Sequence, residues 1–172
     1  DDTYTTVYTP MYCGIKSVPE TFKEGNGSMV DFTWNSAHWV FNWVANFAYS
    51  RYSDMIVDIQ KVQNELENGF FAQVPEMDKA ALELYKTNPE GAVAMLTDFS
   101  VKQGDMVTKR WEKLGQYLLM KYMDGNVKNE KDGKFETNGT EKPQLQHPQH
   151  PRYPDSWYKH IVNEKGDAIK MK

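Results

Sequence analysis

Cysteine is nearly absent: one thiol, Cys13, stands among 172 residues. No disulfide can therefore close within the chain, and cysteine usage leaves the redox compartment open. No apolar run reaches the roughly 18 residues that a bilayer span requires. Nor do Lys and Arg gather into a stripe, and the formal net charge is -4, which argues against a nucleic-acid footprint. No internal repeat is present. What the chain has instead is aromatic content, with 5 Trp, 10 Tyr and 8 Phe in a 40% hydrophobic composition. That is the make-up of a folded chain of single-domain size with a real core.

The densest part of that content runs from Ser36 to Phe71 and reads as one long helix, capped by Asn35 or Ser36. Trp39, Trp43 and Phe47 recur every four residues beside Val40, Phe41 and Val44. Most of the circumference there is expected to be covered by protein. Asn35, His38, Asn42 and Asn46 form a single polar line on the same helix. Buried amides on such a line need partners in a neighbouring element, and the alternative is that they line a pocket. Further on, the apolar set narrows to Met55, Ile56, Ile59, Val62, Leu66 and Phe70, the pattern of one wet face.

Four segments follow from patterning. Residues 1–34 hold a strand at Tyr4 to Tyr8, rich in β-branched and aromatic side chains, and an Asn26-Gly27 turn. Residues 35–124 are a helical array. Within it Pro75 opens a helix to Lys86, and Asn88-Pro89 caps another that runs to about Gln103. Gly104-Asp105 permits a break before a last helix over Met106 to Met123, stopped by Asp124-Gly125-Asn126. Residues 125–154 lack any helical or strand period and read as a polar loop or arm. Residues 155–172 hold a short terminal helix with Trp157, Ile161 and Val162, and a tail.

Residues with chemical potential are few. Cys13 follows a strand-like run and Pro10, and reads as a small buried hydrophobe rather than a nucleophile. His147 and His150 have a metal-like spacing, yet Pro148 and Pro151 forbid the helix that would align them. Glu65, Glu67 and Glu76 read as solvated helix surface. Asn26-Gly27-Ser28 and Asn138-Gly139-Thr140 fit a glycosylation acceptor pattern too loose to carry weight.

The wording of several segments resembles a family. SAHWVFNWVANFAYSRYSDMIVDIQKVQNELE from Ser36, LELYKTNP at Leu82 to Pro89, TDFS at Thr97 to Ser100, RWEKLGQYLLMKYMDGNV at Arg110 to Val127 and VYTPMYCGIKSVPETF at Val7 to Phe22 are similar to the dipeptidase A family. Its members are bacterial cysteine dipeptidases of the N-terminal-nucleophile (Ntn) hydrolase superfamily. The resemblance implies an α+β, predominantly helical chain, the C-terminal part of an αββα sandwich. It also implies an N-terminal thiolate as nucleophile, an acyl-enzyme intermediate, dipeptide substrates, and no metal or organic cofactor. Ntn chemistry uses the α-amine of residue 1 as base for its own side chain, and residue 1 here is Asp. The expectation is therefore a single C-terminal portion that is silent without an N-terminal half carrying the cysteine. No catalytic residue is assigned to it, a homo-oligomer is possible, and the family leaves cytoplasm or export open. A stand-alone helical interaction module is the alternative.

Overall fold

The computed structural model describes residues 4–137, 139 and 155–165. It is mostly helical with one small antiparallel hairpin, an α+β composition. The chain divides into two compact units, residues 1–120 and 121–172.

In the first unit, α1 (Ala37–Ala48) and α2 (Tyr52–Tyr85) are separated by a 3-10 turn at Tyr49–Arg51. The single helix expected from Ser36 to Phe71 is thus two. Arg51 leaves helical space at φ -157°, ψ 59°, and Ser50 Oγ donates to Phe47 O at 2.7 Å. A side chain that bonds a nearby carbonyl offers the backbone an alternative to the helical ladder. Beyond that break α2 runs 34 residues. Pro75, expected to open a new helix, lies inside it. Its missing N–H orphans the Phe71 carbonyl, but Pro75 and Phe71 are both exposed, where water can satisfy that oxygen. Strong helix formers from Glu76 to Leu84 then carry the turn onward.

The connection at residues 86–88 leads into α3 (Pro89–Tyr122), which packs antiparallel to α2. Asn88 Oδ1 accepts from Gly91 N at 2.9 Å, so the expected cap with proline behind it forms. The expected break at Gly104 does not. A Cβ there would lie 2.3 Å from Pro19 Cγ, so this glycine serves a close packing contact rather than a kink. Gly115 does the same for the Trp43 ring, 2.3 Å from where its Cβ would stand.

The core follows the 3.6-residue period. Val40, Val44, Ala45 and Ala48 of α1 are buried, with Met55, Ile59, Val62, Leu66 and Phe70 of α2 and Val107, Trp111, Leu114 and Leu118 of α3. Phe41 stacks on Trp111 at 5.2 Å between ring centroids.

Residues 4–22 form no strand. They lie as a strap on α2 and α3 that ends in a 3-10 turn at Glu20–Phe22, and helix side chains take the place of a neighbouring strand. Gln63 Nε2 donates to Thr6 O at 2.7 Å, and Tyr8 N donates to Glu67 Oε1 at 2.8 Å. Tyr12 N donates to Ser100 Oγ at 3.2 Å and Lys16 N to Thr97 Oγ1 at 3.1 Å. At the strap's end, the hydroxyls of Thr21 and Thr108 meet at 3.0 Å. A lone strand needs some such set of partners for its backbone.

The second unit contains the end of α3, where Asp124 takes φ 60° and stops the helix where expected. A hairpin follows, β1 (Glu130–Lys131) paired with β2 (Lys134–Phe135). Asp132 and Gly133 both have positive φ, 52° and 74°, the two-residue turn that Asp-Gly favours. The expectation of no strand in residues 125–154 is corrected there. The segment 140–154, with His147 and His150, and Asn138 lie outside the described residues. The terminal helix, α4 (Asp155–Lys165), forms, with Trp157 and Val162 exposed and Ile161 half-buried.

Candidate functional site

Three places were marked by the residues, and the structure treats them differently. Cys13 is exposed, not a buried hydrophobe. It sits in a turn before Gly14, whose φ is +83°, and makes no hydrogen bond among the described residues. Pro10 is buried, whereas Cys13 and Gly14 at the turn stand in solvent.

The polar line of α1 is also wet. Asn35, His38 and Asn46 are exposed and Asn42 is half-buried. Its amides bond within their own helix: Asn42 Nδ2 donates to His38 O at 2.8 Å, and Asn46 Nδ2 to Asn42 O at 2.8 Å. Asn42 Nδ2 also lies 3.1 Å from His38 Nδ1. Partners in a facing element are therefore not what satisfies this line. For Asn42 and Asn46 the i−4 carbonyls do, as a 3.6-residue period allows.

The aromatic face of α1 is covered in part by the chain's own residues 28–34. Ser28 and Asp31 bridge a tight turn, and Trp39 Nε1 donates to both their carbonyls at 2.9 Å. Phe32 packs edge-on to Trp34 and Trp39, and Trp34 edge-on to Trp43, with centroids 4.7 to 5.6 Å apart. Such geometry is the favoured one for aromatic quadrupoles. So the expectation that only other protein could cover Trp39 and Trp43 is corrected. The cover, however, is itself apolar and wet: Met29 is 76% exposed, Val30 97%, Phe32 52% and Trp34 46%. A turn locked from beneath by an indole thus presents apolar tips to solvent, a surface that invites a partner. The sequence signal was the run from Ser28 to Trp34, which reads as an Asn-Gly turn with its tail and hides the exposure.

On the other side of the helices lies the strap. The TDFS residues act here: Thr97 and Ser100 present hydroxyls one turn apart, each also donating to its own i−4 carbonyl. Tyr12 OH donates to Asp78 Oδ1 at 2.6 Å. Burial, then the hydrogen bond to the Asp78 carboxylate, push the Tyr12 phenol up to about 12. Glu65 pairs with Arg110 across the helix hairpin at 3.1 Å, and Glu67 holds the strap, so neither is merely solvated surface. Two clefts open along this hairpin. One of about 790 Å³ lies between Lys16 of the strap and the start of α3. The other, about 400 Å³, lies between Met77 and Phe99. Among the described residues no cluster of His, Cys, Asp and Glu could hold a metal ion. No helix of the described residues is long and apolar enough to cross a membrane.

Comparison with known proteins gives one positive finding. The family model described as Peptidase family C69 matches residues 1–65, the strap, the aromatic turn, α1 and the first part of α2. No curated protein and no solved structure matches the chain.

Proposed function

We propose, from the match of residues 1–65 to the Peptidase family C69 model, that this chain is the C-terminal portion of a cysteine dipeptidase of the Ntn class. Its role is to complete the fold around a catalytic cysteine carried by the other portion. In the whole enzyme, a thiol gives its proton to the α-amine of the same residue, and the thiolate attacks the peptide carbonyl. The amine leaves with that proton, and water then releases the acyl group. The helices described here supply no group to that step. They supply a surface.

The observation that carries this reading is the exposed apolar turn at Met29 to Trp34, which packs on a helix whose Asn42 and Asn46 amides already bond carbonyls of that helix. An interface there gains from apolar burial without stranding the Asn and His groups. Expressing a longer chain that begins at an upstream cysteine tests the proposal. Dipeptide hydrolysis is expected from the longer chain and lost in its N-terminal Cys→Ala variant. Val30→Asp or Trp34→Asp in that chain is expected to reduce hydrolysis by weakening the contact. An active longer chain indifferent to both surface variants would overturn the role assigned to the turn. The alternative of a stand-alone interaction module is not favoured by the family match.

A further inference from the structure

The larger cleft has a chemistry that neither the fold nor the peptidase reading uses. Val93, Ala94 and Val101 of α3 give it an apolar lining, with Tyr85 of α2 beside them. Charges stand at the rim. Asp98 is already paired with Lys102 at 2.6 Å. Lys16 and Glu90 have no ion pair among the described residues. Lys16 is anchored through its backbone N–H to Thr97, seven residues beyond Glu90 on α3, a rise of roughly 10 Å along the axis. An extended tripeptide spans about the same length.

We propose that this cleft binds a short zwitterionic peptide of about three residues, its ammonium at Glu90, its carboxylate at Lys16 and an apolar side chain on the valine lining. The cleft volume falls in the range of small-ligand sites. One apolar face between two opposite, separated charges selects against free anions, free cations and neutral lipids. The proposal rests on the peptidase reading only in preferring peptides to other zwitterions of that length. Exposed charge pairs are individually weak, so recognition depends on the two ends acting together.

The test is titration of the ¹⁵N-labelled 172-residue chain with alanyl-leucyl-alanine, beside its N-acetylated and C-amidated forms. Saturable amide shifts centred on Lys16, Val93 and Thr97 are expected. Each blocked form should bind about two- to five-fold more weakly. Lys16→Met should remove the discrimination against the amide and Glu90→Gln that against the acetyl form, with far-UV circular dichroism unchanged. Absence of saturable shifts, shifts centred elsewhere, or equal binding of all three peptides would overturn the proposal. Cleavage by the longer chain with no binding here defeats the cleft alone. Binding here with no cleavage defeats the peptidase reading alone.

Discussion

The two ends of the α2/α3 hairpin both carry large apolar side chains and meet different fates. At the base, the apolar positions Met55, Ile59, Val62, Leu66, Phe70, Val107, Trp111, Leu114 and Leu118 are buried, with Phe41 and Trp43 of α1 packed at Trp111 and Gly115 and Pro19 of the strap at Gly104. Toward the connection at residues 86–88 the described residues of the first unit offer no third helix. There Phe71, Leu82 and Tyr85 stay more than half exposed, and the strap bonds to α3 at Ser100 and Thr97. An apolar stripe on a helix is thus a demand for cover, and burial follows only where the topology supplies a further element.

That contrast can be broken most sharply at the base. Trp111 is fully buried and stacked on Phe41, and its Nε1–H has no partner among the described residues. Trp111→Ala is expected to lose about 3–5 kcal/mol of stability in urea unfolding. Trp111→Phe should lose clearly less, since it keeps a ring and removes a buried orphan donor. Equal losses would mean the indole N–H is satisfied. Next in size come the glycines. Gly115→Ala drives a methyl into Trp43 and Gly104→Ala into Pro19, each with a loss of roughly 1–3 kcal/mol. A neutral result at Gly104 would show that the strap's end is not seated on α3.

Smaller effects are expected of the strap and the hairpin tip. Tyr12→Phe removes the hydrogen bond to Asp78 and should lower stability by about 1 kcal/mol. With the phenol raised from 10.0 to about 12, the folded state holds this proton more tightly than the unfolded one. The contribution is therefore complete below pH 10 and lost as pH rises from 10 to 12. Wild type and Tyr12→Phe should converge in thermal unfolding across that window. Leu82→Ala at the exposed tip should change stability by less than about 0.5 kcal/mol, and a larger loss would reveal cover over Leu82.

What could be read in advance followed from local physics. The Asn88-Pro89 start and the Asp124 stop of α3 were legible because capping and left-handed geometry belong to residues within one turn. So were the buried positions of α2 from Met55 to Phe70. The break at Arg51, the continuity through Pro75 and Gly104, and the exposure of Asn35, His38 and Asn46 were not. Each depends on what lies opposite: Pro19 against Gly104, solvent beside Pro75, and solvent over Asn35, His38 and Asn46 among the described residues. The Asp132-Gly133 hairpin carried a strong local signal that the polar composition around it obscured. At the strap, strand-like residues found helix side chains as partners, a pairing that patterning does not anticipate.

Incubating the purified 172-residue chain with a panel of dipeptides and measuring released amino acids bears most directly on the claim that its catalytic cysteine lies elsewhere. The account predicts no hydrolysis above buffer. Turnover by this chain that is abolished by Cys13→Ser would contradict it, and would make the exposed thiol on the strap the nucleophile.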